Sequence, residues 1–163
     1  MAEGRKLVLH PIGRVGTPHA AEDSALWEGT AEIELDSAWA EALDGIDEFS
    51  HIWVVWWLDR FEEPPASPRV RPEGRQEMPE VGLFATRSPH RPCPIAITAV
   101  RLQEHKGARL LVQGLDAAPG TPIFDIKPYL RRGDLIPEAT TPDWLERLWR
   151  IHDEERNAGR VGD

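Results

Sequence analysis

A chain of 163 residues has room for one domain with a real core and is short for two. Its formal charge of −9 argues against binding nucleic acid by bulk electrostatics, since phosphate contacts need clustered lysine and arginine, but leaves room for a local basic patch. One cysteine excludes an intramolecular disulfide framework, and the longest apolar stretch, Ile52 to Leu58, is too short to span a bilayer, so a cytoplasmic protein off the membrane is expected.

In chain order, Leu7-Val8-Leu9 running into Pro11-Ile12-Gly13-Arg14-Val15-Gly16 reads as a short strand with turn residues behind it. Residues 19 to 29 are polar and lack firm periodicity. Ala31, Ile33 and Leu35 alternate with Glu32 and Glu34, the pattern of a half-buried strand. Asp36 is placed to cap a short helix, Ser37 to Leu43, whose Trp39, Ala42 and Leu43 share a face and which Gly45 stops. From Phe49 to Leu58 the chain is β-branched and aromatic without polar alternation, which predicts a central strand buried on both faces. Residues 62 to 79 are rich in proline, arginine and glutamate, and a connection of that length predicts an ordered lid or interface loop.

Residues 82 to 94 then place two arginines and three prolines between two apolar runs. Proline removes a backbone donor and fixes φ, so such a turn loses little entropy on ordering. A rigid surface turn with solvated arginines and a binding loop aiming Arg87, Ser88, His90 and Arg91 outward satisfy this pattern equally. A strand from Ile95 to Gln103 turns at His105-Lys106-Gly107-Ala108 into Arg109-Leu110-Leu111-Val112, a predicted hairpin. A Gly/Asp/Pro loop, 114 to 121, leads to a short strand, Pro122 to Ile126, ended by Lys127-Pro128-Tyr129-Leu130. Thr141 before Pro142 starts a helix with Trp144, Leu145, Leu148, Trp149 and His152 in one stripe, and the tail after Arg156 reads as frayed.

Strands predominate without β-α alternation. The fold class is therefore mainly β: a small β-barrel or twisted antiparallel sheet with peripheral helices and a C-terminal helix. Residues 1–140 form the barrel domain in this reading, and 141–163 the helix and tail.

Gly13-Arg14-Val15-Gly16 lacks the third glycine of a dinucleotide fingerprint, and no P-loop occurs. His10, His19, His51, His90, His105 and His152 never pair at zinc spacing, so no metal is expected. Ser88 and His90 are too close in a tight turn to form a nucleophile–base pair.

Three segments put polar groups beside glycine and proline at strand ends: 45 to 51, 82 to 94 and 114 to 129. Taken singly, Asp116 and Asp125 read as turn caps, Lys127 as solvated and Tyr129 as core. Together, Phe49-Ser50-His51-Ile52, then Gly82 to Ile95, then Pro119-Gly120-Thr121-Pro122-Ile123-Phe124-Asp125-Ile126-Lys127-Pro128-Tyr129 resemble the TsaA-like family, also called TrmO, over roughly residues 8 to 132. Cys93 stands where that family usually has asparagine. The chain ends about thirty residues past Tyr129, so a short form without the family's extra C-terminal domain is expected.

The resemblance implies a small β-barrel methyltransferase that uses S-adenosylmethionine, acts as a homodimer with cofactor near the subunit boundary, and N-methylates threonylcarbamoyladenosine beside the anticodon of certain tRNAs. Methyl transfer from a sulfonium is an in-line displacement, so positioning and a dry pocket are the protein's main contribution. Aromatic faces, backbone carbonyls and a carboxylate suit the sulfonium, whereas arginines suit carboxylate or phosphate. On that basis Phe84, Ala85, Thr86, Ser88 and His90, with Leu115, Asp116 and Thr121, line the cofactor pocket. Arg87 and Arg91 hold the turn or contact an anion. Asp125, Lys127 and Tyr129 face the acceptor, with Asp125 orienting it or taking its proton. A methyltransferase of a small metabolite and a non-catalytic cofactor-binding module are the alternatives.

Overall fold

The computed structural model describes residues 8–16, 29–61 and 66–160. Its strands are β1 (Gly13–Val15), β2 (Thr30–Leu35), β3 (His51–Trp57), β4 (Arg69–Val70), β5 (Val81–Gly82), β6 (Ile95–Lys106), β7 (Arg109–Gln113) and β8 (Pro122–Pro128), and its helices are α1 (Arg131–Asp134) and α2 (Asp143–Arg160). Six strands close an antiparallel barrel in the order β1-β2-β7-β6-β3-β8, and β4 pairs with β5 apart from it. The mainly β fold with a C-terminal helix is therefore the one expected from the sequence.

Closure gives each strand an inner and an outer face, and the period-2 pattern decides which residues go where. Ala31, Ile33 and Leu35 of β2 point inward, as do Ile52, Val54 and Trp56 of β3, and they meet Val15, Val100, Leu110, Val112 and Ile123 in one core. Each fully buried aliphatic side chain there stabilises the fold by roughly 1.5–3 kcal/mol. Trp56 keeps its indole N–H satisfied by donating to the Thr98 hydroxyl at 3.1 Å. On the outer face of β2, Glu34 pairs with Arg14 at 2.9 Å and Glu32 with Arg109 at 3.3 Å.

β3 differs from its expected double burial. Trp53, Val55 and Trp57 lie on the outer wall and are half-buried, because a closed barrel has no second layer over that face. The first strand also moves. Val8 and Leu9 are exposed and pair with no strand among the described residues, and pairing begins at Gly13, whose missing side chain lets β1 approach β2. Ser37–Leu43 forms 3-10 turns instead of an α-helix, and Asp36 contributes its backbone carbonyl, to the Trp39 N–H at 2.8 Å, without a side-chain cap. Seven residues are too few to recover the cost of nucleating an α-helix. Trp39 and Ala42 consequently stay exposed while Leu43 is buried.

β6 and β8 run longer than expected because both serve two neighbours: β6 bends from β3 to β7, and β8 bridges β3 and β1. Gly107, at φ +58°, makes the turn into β7. The expected polar stretch 19–28 lies outside the described residues, as do Leu7, 62–65 and the last three positions. α2 continues through Arg160, past the expected fraying point, and buries Leu148 while leaving Trp149 exposed at its outer edge. The Thr141 hydroxyl contacts the Glu146 carboxylate ahead of its first turn. Among the described residues no helix is long and apolar enough to cross a membrane.

Candidate functional site

The 82–94 segment is anchored before it turns. β5 pairs with β4, Leu83 is buried and takes the Pro68 carbonyl through its N–H at 2.9 Å, and Leu83–Ala85 makes one 3-10 turn. The Thr86 hydroxyl donates to the Leu83 carbonyl at 2.8 Å and accepts from the Ser88 N–H at 3.2 Å. Arg91 donates to the Thr86 carbonyl at 2.8 Å and to the Ser88 carbonyl at 3.3 Å, with its guanidinium 5.6 Å from the Phe84 ring centre. Thr86, Ser88 and Arg91 thus hold the loop's shape. Phe84 is 78% exposed, Ala85 and Arg87 are exposed too, and Arg87 has no hydrogen bond or ion pair among the described residues.

A second loop meets this one through residues that sequence reasoning missed. Leu58 donates its N–H to the Pro94 carbonyl at 2.8 Å, and Phe61 packs edge-on against the His90 ring at 5.3 Å. Asp59 accepts from the Thr121 hydroxyl at 3.2 Å. The end of β3 therefore ties the 82–94 loop to the 114–121 loop, and the only linear hint of it was a carboxylate and an aromatic directly after the most apolar strand. Leu115 and Thr121 are buried, so they brace the second loop, while Asp116 is exposed and without an ion pair among the described residues.

Asp125 and Lys127 lie on the outer face of β8 and contact each other as an ion pair. They sit level with Val55 and Trp53 of β3. Tyr129 follows, with its N–H on the His51 carbonyl at 3.0 Å and its ring 5.6 Å from Trp53. Ser50 and His51 close that end through an Oγ–Nδ1 contact of 2.9 Å. The 82–94 loop lies at the Trp57 end of β3 and Tyr129 at the His51 end, roughly 20 Å apart at about 3.3 Å per residue. Both lie along the β3 wall, but one chain does not bring them into contact.

A cleft of ≈ 430 Å³ opens between the 3-10 turns and β8, lined by Trp39, Asp44, Phe49 and Asp125 among others. No residue of the 82–94 loop borders it. No group of three or more His, Cys, Asp or Glu side chains that could hold a metal occurs among the described residues.

The closed barrel carries on its surface the motif segments that resemble the TsaA-like family: the arginine-bearing 82–94 loop and the Asp-Ile-Lys-Pro-Tyr end of β8. The family model of the tRNA-methyltransferase O N-terminal domain matches residues 13–135. The chain belongs to that TrmO family of S-adenosylmethionine-dependent methyltransferases, whose cofactor is S-adenosylmethionine. Two Archaeoglobus fulgidus proteins, an S-adenosyl-L-methionine-binding protein and a probable one, are each 38% identical to it. The matches cover 80% and 85% of this chain but 94% of the first protein and 38% of the second. The tRNA (adenine(37)-N6)-methyltransferase of Escherichia coli is 40% identical over 62% of this chain and 45% of its own length. Among solved structures, TrmO of Pseudomonas aeruginosa superposes with a TM-score of 0.68 at 29% identity, over 88% of this chain and 63% of that one. The chain thus spans under half the length of some curated relatives and nearly all of another.

The side chains at the two loops fit the cofactor's donor and acceptor pattern. S-adenosylmethionine carries a carboxylate, an ammonium, a sulfonium and an adenine. Among the described residues Arg87 carries a guanidinium and Asp116 a carboxylate without an ion pair, and Phe84 an open aromatic face, groups whose chemistry matches a carboxylate, a cation or ribose hydroxyls, and a sulfonium respectively.

Proposed function

We propose that this chain transfers the methyl group of S-adenosylmethionine to the nitrogen of N6-threonylcarbamoyladenosine beside the anticodon of tRNA, in the cytoplasm and as a homodimer. The observation that carries the reading is the placement of Lys127, Tyr129, Trp53 and His51 together on one wall of a chain that is otherwise strongly acidic. Aromatic faces beside a cation suit an unstacked base next to phosphate.

S-adenosylmethionine, when bound, supplies a methyl group on a positively charged sulfur. The chain's residues supply position. Arg87 and Asp116 hold the amino-acid end of the cofactor, while Thr86, Ser88 and Arg91 keep the loop from reorganising. Lys127 orients Asp125, whose carboxylate would accept a hydrogen bond from the acceptor N–H and take its proton as the methyl passes from sulfur to nitrogen, the S–C bond breaking and the neutral thioether leaving.

The roughly 20 Å between the 82–94 loop and Tyr129 supports the homodimer. Trp53, Val55, Trp57, Ile95, Ile97 and Ala99 form an apolar outer wall, with Ile97 53% exposed. A two-fold contact across that wall, antiparallel along β3, sets one protomer's 82–94 loop against the Asp125-to-Tyr129 strand end of its partner.

The decisive test incubates the chain with labelled S-adenosylmethionine and either tRNA from a strain lacking the endogenous enzyme or a metabolite extract. Label appearing in tRNA at the modified adenosine supports the proposal. Label only in the extract favours a small-metabolite methyltransferase, the second reading, which the −9 charge supports. Cofactor binding without turnover on either defeats both. Ile97→Asp is expected to yield monomers that lose transfer, and a fully active monomer overturns the shared site.

A further inference from the structure

The segment between β4 and β5 is held from outside the barrel. Arg75 extends its guanidinium to α2 and grips Glu155 with both terminal nitrogens, at 3.0 and 2.8 Å. Its Nε donates to Glu73 at 2.9 Å, and Glu77 stands 3.7 Å away. From α2, Arg147 donates to the Glu77 carbonyl at 2.9 Å and His152 contacts Glu73 at 3.0 Å. A planar fork meeting one carboxylate bidentately and a second through Nε is the geometry that only arginine provides. Glu73 adopts φ +52°, a left-handed backbone that non-glycine residues rarely hold, and yet carries one of these carboxylates. The hydrogen bonds of Glu155 and Glu73 push the Arg75 guanidinium above its ordinary range.

From Arg75 a continuous set of contacts leads to the loop. The Met78 N–H donates to the Arg75 carbonyl at 3.0 Å, Met78 is buried, and Arg71 donates to its carbonyl. Arg69 donates to the Glu80 carbonyl at 2.9 Å, β4 pairs with β5, and Pro68 receives the Leu83 N–H. Leu83 in turn receives Thr86, which Arg91 holds.

We infer that Arg75 is a positioning residue for methyl transfer: clamped by Glu155 of the C-terminal helix, it sets the β4–β5 ribbon and through it the shape of the 83–91 cofactor loop. The inference rests on assigning that loop to S-adenosylmethionine. It gives α2 a role in the reaction although no residue of α2 bonds to the loop among the described contacts.

The test uses the full chain, S-adenosylmethionine as titrant, and hydrogen exchange of residues 82–94 without cofactor. Arg75→Met, which keeps the apolar stem, is expected to raise exchange across 82–94 and to weaken cofactor binding about threefold to tenfold, the small coupling suited to an exposed network. Arg75→Lys is expected to recover part of both, and Glu155→Gln to reproduce much of the loss. In 0.5 M salt the wild type should move toward the Arg75→Met value, since screening weakens the clamp. Ile33→Val, which loosens the barrel core without touching the clamp, serves as the structural control. Unchanged exchange and affinity in Arg75→Met overturn the inference, as does a weakening that Ile33→Val reproduces at equal loss of Tm. Absence of cofactor binding by the wild type overturns the loop's assignment instead, while the exchange measurement still decides the clamp.

Discussion

Gly13→Ala tests how the barrel closes. A Cβ at Gly13 would lie 2.3 Å from the Glu34 carbonyl oxygen and 2.7 Å from the Leu35 Cα, both backbone atoms that no rotamer change can move. The strands must separate by several tenths of an ångström or more, at a three-residue strand that pairs with β2 on one side and β8 on the other. Forced overpacking costs roughly 1–3 kcal/mol. Opening one or two adjacent ladder bonds, such as Ile12 N–H to the Ile123 carbonyl at 2.8 Å, adds about 1 kcal/mol each. A loss near 3 kcal/mol is a large share of the ~5–15 kcal/mol that holds a domain together, and lowers Tm by roughly 6–12 °C at this chain length. Urea unfolding followed by circular dichroism, alongside the thermal midpoint, measures it. Gly133→Ala, where the added methyl meets nothing within 4 Å, is the control and should be neutral or slightly stabilising. A Gly13→Ala midpoint within about 0.5 kcal/mol of wild type would refute the reasoning, because closure would then tolerate a widened β1–β2 spacing.

His105 has a carboxylate and a carbonyl as partners, Asp47 at Nδ1 (3.0 Å) and Gly107 at Nε2 (2.8 Å), so only the doubly protonated ring donates to both. The Asp47 hydrogen bond raises its pKa above 6.5, against burial and with help from the Gly107 carbonyl and Asp44. This stabilisation is therefore complete below the unfolded value and is lost as pH rises through the higher folded one. Urea midpoints should decline across that window in the wild type and decline less in Asp47→Asn, which keeps the Gly107 carbonyl and Asp44; equal declines in both would rule out the pair as their source. Arg91→Met removes two carbonyl contacts that shape the loop, and calorimetry should show S-adenosylmethionine binding weakened about five- to thirtyfold, as expected for roughly 1–2 kcal/mol of charged hydrogen bonding. Unchanged affinity would show that the loop keeps its shape without Arg91. Cys93 is exposed and contributes its carbonyl, to the Ile95 N–H at 2.8 Å, so Cys93→Asn should leave Tm unchanged; a fall of several degrees would mean the thiol has a packing role.

The sequence by itself determined whatever depends on neighbours in the chain. Alternation placed Ala31, Ile33 and Leu35 on the inner face, Gly107 marked the β6–β7 turn, and the three ordered motifs pointed to the family. These signals are local: a period of two, a positive φ, a contiguous string. Tertiary structure decided the rest. Closure turned β3 into a strand with an outer aromatic wall, because both faces of a barrel strand cannot be inside. It put Asp59 against Thr121 and Phe61 against His90, joining the 82–94 and 114–121 loops through the end of β3. It also brought Glu155 to Arg75 across 80 positions, so a polar helix and an arginine-rich connection that looked independent are tied together. Such contacts follow from how the strands close in space, and no local periodicity encodes them.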